Sequence, residues 1–296
     1  MPMKIGVLMG GDSEERTVSI STGNQVLKAL KKLGHNAEKI LIKNDYKKFL
    51  GKFLEQDLVF NALHGGKGED GEIQQWMDNN NVKYTGSGAT SSALCMDKAR
   101  SKDFAKVIGV RTPRWQLFSS LNEKIKLQFP FVIKPNNQGS TFGLTVVNNK
   151  KELPLAIKTA FQYSEDVIVE EYIKGREVTV PILGKSAYPI LEIVPSHDLY
   201  DFECKYTPGM TKYFCPAKLD DGLTRLIKEN TQLLFSEFGC NVYARIDYLI
   251  DENGTPYFIE INTLPGMTST SLLPKSLASV GISFESLISK IVKLSI

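Results

Sequence analysis

The stretch from Val242 to Asn262, VYARIDYLIDENGTPYFIEIN, constrains this chain more than any other. Two runs rich in β-branched and aromatic residues flank Asp251-Glu252-Asn253-Gly254, a composition that turns a strand back on itself. Strands are predicted at Val242–Ile250 and Pro256–Ile261. Side chains alternate along a strand, so Arg245 and Asp247 share one face of the first arm, and Glu260 and Asn262 share one face of the second. Asp247 interrupts an otherwise apolar strand, and a buried carboxylate is costly unless a cation neutralises it. Two carboxylates and an amide oxygen suit magnesium, which prefers hard oxygen donors and shares them with phosphate. The same pattern also fits a solvent-facing polar edge. Arg245 is placed to meet an anion at that face.

The residues that follow sharpen the reading. Thr263-Leu264-Pro265-Gly266-Met267-Thr268 comes directly after Asn262. A glycine there lets backbone N–H groups approach a ligand oxygen, as an oxyanion hole requires. Ser269-Thr270-Ser271-Leu272 then opens a helix. These residues serve either as a plain N-cap or as a carboxylate site at the helix terminus, and the two roles are compatible.

Upstream, the chain alternates strand and helix. Residues 3–9 form a short apolar run ending in Gly10-Gly11, Val18–Leu33 has helical periodicity, and strands are predicted at Ala37–Ile42, Leu58–Ala62 and Val82–Tyr84, with a helix at Glu72–Asn79. This order predicts a parallel sheet with functional loops at the carboxyl ends of its strands. The pattern changes near residue 98. A helix at Lys98–Ile108 leads into strands at Arg114–Phe118, Phe131–Lys134, Gly143–Val147 and Val167–Glu171, with a helix at Glu152–Phe161. A third part has strands at Val178–Leu183 and Ala187–Ile193, a polar loop from Pro195 to Phe214, a helix at Leu223–Phe238, the hairpin, and two closing helices. The expected domains are 1–97, 98–176 and 177–296. A polar loop as long as 195–214 is expected to act as a lid.

Composition excludes several classes. With 42% hydrophobic and 23% charged residues the chain is expected to fold, and a formal net charge of +3 over scattered lysines gives no nucleic-acid stripe. No apolar run approaches the roughly 20 residues that cross a bilayer, and Ile5–Met9 is too short for a signal peptide, so no membrane association and a cytoplasmic location are expected. Cys95, Cys204, Cys215 and Cys240 fit no zinc spacing and are read as reduced structural thiols.

The stretch Arg245–Leu272 resembles the C-terminal signature of the ATP-grasp ligases, in particular the D-alanine–D-alanine ligases. GVLMGGDSEERTVS near the start, ALHGGKGEDG at 62–71, YTGSG with MDKARSK at 84–102, VIKPNNQGSTFG at 132–143 and CKYTPGMTKYFCPA at 204–217 are similar to that family's motifs, in family order. The resemblance covers essentially the whole chain. It implies an α/β chain, α+β in its ATP-binding part: an ATP-grasp fold preceded by a Rossmann-like parallel-sheet domain. It implies ligation of two D-alanines through an acyl phosphate, with ATP and two magnesium ions, or manganese in their place, and a homodimer by family analogy.

The residue assignments follow from the same resemblance. Lys98 and Lys134 face phosphates. The loop at 136–143, read alone, could equally be an ordinary hairpin loop; in the family it is a phosphate-covering lid. Glu170, Glu171, Ile173 and Glu177 bind adenine and ribose. Many relatives have lysine where this chain has Glu171, which leaves a main-chain contact there. Glu15 takes the ammonium of the first D-alanine and hydrogen-bonds with Ser140 and Tyr206, and His64 lies on the substrate side. Arg245 and the Gly266 N–H stabilise the oxyanion, Lys205 meets phosphate and substrate, and Ser271 and Leu272 hold the second carboxylate. Asp247, Glu260 and Asn262 are the metal ligands. Tyr206, where depsipeptide-forming relatives have histidine, favours an amine as second substrate. The rivals are an ATP-grasp ligase for other amino acids and a nucleotide-binding regulator without catalysis.

Overall fold

The fold is that of a computed structural model, which describes residues 2–43, 45–120, 124–196, 200, 204–205, 207, 209–268 and 270–296. The first strand, β1 (Lys4–Gly10), is buried over six of its seven residues, as a central parallel strand must be. It lies between β2 (Asn36–Ile42) and β3 (Leu58–Asn61), both parallel to it, and α1 (Arg16–Lys32) makes the first crossover. Gly10 turns away with φ 104°, and a Cβ there would lie 2.2 Å from the Ile42 carbonyl oxygen, so only glycine fits. The Gly10 N–H donates to Ser19 Oγ (2.9 Å), and that hydroxyl donates to the Ala62 carbonyl (2.8 Å). Ser19 thus ties α1 to the ends of β1 and β3 and sets Glu15, just before the helix, at the carboxyl edge of the sheet.

Four short elements in this part escape the sequence reading: 3-10 turns at Tyr46–Phe49 and Gly66–Gly68, α2 (Leu50–Leu54) and α4 (Ala89–Met96). α3 (Glu72–Asn79) has the predicted bounds. The strand expected at Val82–Tyr84 is a single bridge from Tyr84 to Val59, because Gly86, at φ 96°, turns the chain before a ladder can form.

α5 (Lys98–Val107) leads to an antiparallel sheet of β4 (Trp115–Phe118), β5 (Phe131–Pro135), β6 (Thr145–Val147) and β7 (Val167–Glu171), ordered β4-β7-β5-β6 and packed on α6 (Leu153–Ala160). The third sheet contains β8 (Gly175–Leu183), β9 (Ser186–Ala187), β10 (Leu191–Pro195), β11 (Thr211–Phe214), β12 (Tyr243–Asp251) and β13 (Pro256–Asn262), ordered β11-β10-β8-β12-β13, with β9 on β8. The strand expected at Ala187–Ile193 splits in two, since Pro189 has no N–H for a ladder. The stretch 195–214 is not loop throughout: Thr211–Phe214 pairs with β10. α7 (Asp221–Glu237) covers this sheet.

The closing helices, α8 (Leu272–Ala278) and α9 (Phe284–Leu294), return to the first part of the chain. Leu287, Ile288, Ile291 and Val292 form the apolar stripe of α9 and join one core with Val26 and Leu30 of α1 and Ile5 and Val7 of β1. Leu264 and Met267 sit in that core, so the loop after β13 is anchored against the N-terminal sheet. No helix among the described residues is long and apolar enough to cross a membrane.

Candidate active site

The β12–β13 hairpin turns through Glu252-Asn253-Gly254, with Gly254 at φ 79° and Asp251 Oδ1 accepting from the N–H groups of Asn253 (2.9 Å) and Thr255 (2.8 Å). From that turn the register runs Ile250 to Pro256 and Tyr248 to Phe258. Carried on unbroken, it would pair Asp247 with Ile259 and turn Glu260 to the opposite face. A β-bulge between Asp247 and Tyr248 adds one residue on β13, so Asp247 pairs with Glu260 and Arg245 with Asn262. Four polar side chains thereby share one face.

Their charges are arranged in pairs. Arg245 donates twice to Asp247, Nε to Oδ1 (2.9 Å) and Nη2 to Oδ2 (2.8 Å), and the Thr179 hydroxyl of β8 donates to the same carboxylate. Glu260 Oε2 is 3.4 Å from Lys98 Nζ. Burial pushes the Glu260 carboxyl up, but Lys98, Lys134, Lys205 and Arg245 together outweigh that and hold it at about 2. Lys98 Nζ also donates to the Gln138 carbonyl (2.7 Å). Lys134 of β5 and Lys102 of α5 grip one oxygen of buried Glu170, at 3.1 and 3.0 Å. Burial opposes ionisation of Glu170 and the two ammoniums overcome it, while Lys102 is lowered by burial to about 8. Glu171 points elsewhere: its carboxylate takes a two-pronged bond from Arg114 (3.0 Å each), and its N–H donates to the Arg114 carbonyl (2.8 Å).

These groups line two cavities with a common wall. The larger, about 510 Å³, is lined by Lys134, Glu170, Glu171, Ile173, Glu177 and Asp247 among others. The smaller, about 100 Å³, is lined by Glu15, His64, Glu69, Asn262, Gly266 and Ser271 among others. Lys98, Ser140, Lys205, Arg245, Glu260 and Leu272 face both. Lys205 Nζ lies 3.5 Å from Thr141 Oγ1 and 5.2 Å from the Tyr200 ring centre. Burial lowers its ammonium and raises Glu177 to about 7.

The loop after β5 holds Ser140 and Thr141 at φ 50° and 60°, a left-handed conformation that non-glycine residues adopt only under constraint. The constraint is visible: the Ser140 hydroxyl donates to buried Glu15. Burial and neighbouring Glu69 raise the Glu15 carboxyl, against Ser140, His64 and Lys205. Gly266 must be small, since a Cβ would lie 2.7 Å from Ser271 Oγ. Ser271 caps α8 by position only; its hydroxyl accepts from the Thr268 N–H (2.9 Å) and so braces the loop instead. Every site residue expected from the resemblance that lies among the described residues lines one of the two cavities. Tyr206 and Ser269 lie outside the described residues.

Four residues close to this geometry were not anticipated. Lys102 stood in a quoted motif, MDKARSK, where only Lys98 was singled out. Thr179 alternates with apolar neighbours on β8, a pattern that could have marked it. Glu69 also stood in a quoted motif, ALHGGKGEDG, five residues after His64, its partner at 3.4 Å, where only His64 was singled out. Thr22 leaves no local signal, because its partners, His64 and Met267, are distant in sequence.

The donor set also bears on metal binding. No group of three or more His, Cys, Asp or Glu converges among the described residues. The hairpin offers two carboxylates and an amide, an open set of hard oxygens that suits an ion sharing its remaining positions with phosphate and water. Asp247 and Asn262 are already oriented, by Arg245 and by the Leu264 N–H (3.0 Å to Asn262 Oδ1).

Comparison with known proteins adds the family. A model described as the D-ala D-ala ligase C-terminus matches residues 103–293, and one for the N-terminus matches residues 43–87. The D-alanine–D-alanine ligase of Halalkalibacterium halodurans is 40% identical, with 99% of each chain covered. The crystal structure of the Bacillus anthracis D-alanine–D-alanine ligase complexed with ATP superposes with a TM-score of 0.88 at 35% identity, covering 100% of this chain and 97% of that one. The VanG D-Ala:D-Ser ligase of Enterococcus faecalis gives 0.86 at 30% identity, covering all of both chains. With a parallel-sheet unit followed by an ATP-grasp fold, this chain belongs to the D-alanine–D-alanine ligase family.

Proposed function

We propose that this chain is an ATP-dependent ligase that joins two molecules of D-alanine into D-alanyl-D-alanine for bacterial peptidoglycan. The observation that carries the reading is the common wall: Arg245, Glu260, Lys98 and Lys205 face a large cavity on one side and the Glu15 cavity on the other. A polyphosphate in the first and an amino acid in the second would meet there.

On this reading the larger cavity takes ATP, with adenine and ribose beside Glu170, Glu171, Ile173 and Glu177. Lys98, Lys134 and Lys205 bind the phosphates. Asp247, Glu260 and Asn262 hold divalent cations, magnesium or manganese, which when bound neutralise charge on the transferring phosphoryl group. Glu15 binds the ammonium of the first D-alanine, with Ser140 and His64 beside it. The carboxylate oxygen of that D-alanine bonds to the γ-phosphorus, the bond to the bridging oxygen breaks, and ADP leaves. The amine of the second D-alanine, its carboxylate near Ser271 and Leu272, then attacks the acyl carbon. Arg245 and the Gly266 N–H stabilise the tetrahedral oxyanion, phosphate departs, and the amine loses its proton. Activation as an acyl phosphate is needed because a carboxylate is a poor electrophile. The three-part division at residues 97 and 176, Tyr206 as a partner of Glu15, and a cytoplasmic homodimer belong to the same reading.

The D-Ala:D-Ser ligase among the similar structures makes D-serine the natural competitor as second substrate. A coupled assay of ADP release tests the reading, with D-alanine alone and then with D-serine, D-lactate or L-alanine added. Turnover and dipeptide formation with D-alanine alone are expected. Nucleotide binding without turnover on any of these substrates would overturn the proposal.

A further inference from the structure

Thr22 lies on α1, one turn beyond Val18, and is 1% exposed. Its hydroxyl meets two distant segments. The Met267 N–H donates to Thr22 Oγ1 (3.3 Å), and Thr22 Oγ1 is 3.0 Å from His64 Nε2. His64 Nδ1 is in turn 3.4 Å from Glu69 Oε1. His64 and Met267 are themselves buried, 5% and 1% exposed. The run therefore joins α1, the loop after β3 and the loop after β13.

Proton accounting fixes its direction. An amide can only donate, so Thr22 Oγ1 accepts from Met267. The Thr22 hydroxyl proton has no other acceptor within reach among the described residues, so it points to the nitrogen beside it, which makes His64 Nε2 an acceptor. Nδ1 carries the ring proton and donates to the Glu69 carboxylate. Each donor points from Met267 towards a negative end, an arrangement in which each bond strengthens the next.

The Met267 N–H belongs to the peptide joining it to Gly266. Glycine gives the chain more torsional freedom than any other residue, so the direction of the Gly266 N–H depends on what holds its neighbours. Ser271 Oγ holds Thr268 on one side, and Thr22 holds the Gly266–Met267 peptide itself. Because the Met267 N–H is committed to Thr22, the Gly266 N–H is the donor left to turn towards the cavity.

We propose that Thr22 is a positioning residue for the acyl-transfer half of the reaction, acting through the Met267 N–H to aim the Gly266 N–H at the oxyanion and through His64 to set that ring's tautomer. This rests on the ligase reading above. Thr22 lines neither cavity. Without it the acyl phosphate still forms, but its capture by the second amine slows, and water takes a share of it.

The test compares Thr22→Val, which keeps the shape and loses the hydroxyl, with Thr22→Ser, which keeps the hydroxyl. For Thr22→Val, dipeptide formation at saturating substrate is expected to fall about tenfold, equivalent to about 1.4 kcal/mol. The KM for ATP should not change, and the ratio of ADP released to dipeptide formed should rise above one. Thr22→Ser is expected to restore both rate and ratio. A Thr22→Val enzyme with the wild-type rate and one ADP per dipeptide would overturn the proposal, as would equal losses in both variants. Nitrogen-15 shifts of the His64 ring provide a readout independent of activity: the wild type should show the Nδ1–H form, and Thr22→Val should lose that preference. A wild-type ring protonated at Nε2 would overturn the relay even if ligation proceeds. If the wild type releases no ADP with D-alanine, the ligase reading fails, and the ring shifts still decide whether Thr22 sets the tautomer.

Discussion

At the hairpin end of the cleft, Lys98, Lys134, Lys205 and Arg245 surround Glu260 and hold its carboxyl at about 2, whereas at the α1 end Glu15 lies against Glu69 and is pushed above its ordinary value by burial and by that second carboxylate. The backbones differ as well. Arg245, Asp247 and Glu260 ride on paired strands, while Glu15, His64, Ser140 and Gly266 sit on loops held together by side-chain bonds. The difference shows how one cleft can order a polyanion and a small zwitterion. The hairpin end carries surplus cations on a rigid frame, which on the proposed ligase reading prepares it for phosphate. The α1 end carries surplus negative charge in a small space, and an ammonium entering there relieves it.

Replacing Glu260 with Gln strikes the hairpin end hardest. The change removes one charge from the proposed ion site and leaves Lys98 without its anionic partner at 3.4 Å. Turnover at fixed magnesium is expected to fall on the order of 10-fold to 100-fold, with a matching rise in the magnesium concentration needed for half-activity and little change in melting temperature. Titrating ADP release against magnesium measures this. Unchanged turnover at saturating magnesium would remove Glu260 from the ion site and erase the contrast between the two ends.

How much of this could be read from the sequence depends on how local each cause is. α3 and β7 were legible to the residue because periodicity and flanking turn residues lie within the element. The four polar residues of the hairpin were legible as a set. Their convergence was expected as one metal site, but alternation alone did not give it, since it needs a bulge that opposes the register imposed by the Asp251–Thr255 turn. Arg245 was expected to face the anion held by the metal; in the structure its guanidinium binds Asp247, a same-strand pair that alternation alone allowed. Lys102 illustrates the opposite failure: a lysine on a helix reads as surface, yet this one is fully buried because Glu170 lies beneath it. The packing of α9 on α1 joins residues more than 250 apart, and no pattern within either helix names the other.

Glu177 allows a subtler test, through pH. Burial raises its carboxyl from an ordinary 4.5 to about 7, with Lys205 opposing and Asp247 reinforcing the shift. The folded protein therefore holds the proton more tightly than the unfolded chain. The associated stability is fully present below about pH 4.5 and is lost as pH rises through about 7. In the nucleotide-free protein, the melting temperature of the wild type should drop relative to Glu177→Gln between those values, by an amount on the order of a few degrees. Calorimetric scans across pH check this. Parallel curves for the two proteins would mean that the carboxyl titrates normally and that the hairpin end is wetter than its geometry implies.

The smallest effect is expected from Arg114→Ala, and its smallness is informative. Arg114 is exposed and holds Glu171, a position where the family resemblance implies lysine, in a two-pronged bond at the wall of the larger cavity. Exposed ion pairs contribute little, because water screens both partners and ordering two long side chains has an entropic cost. If the Glu171 carboxylate is a surface group turned away from adenine, freeing it should change kcat/KM for ATP by less than about twofold and leave the melting temperature where it was. If the KM for ATP rose well beyond that while kcat held, the pair would be steering the strand that borders adenine. The line between a buried cationic frame and an indifferent surface would then have to be drawn outside Arg114 rather than inside it.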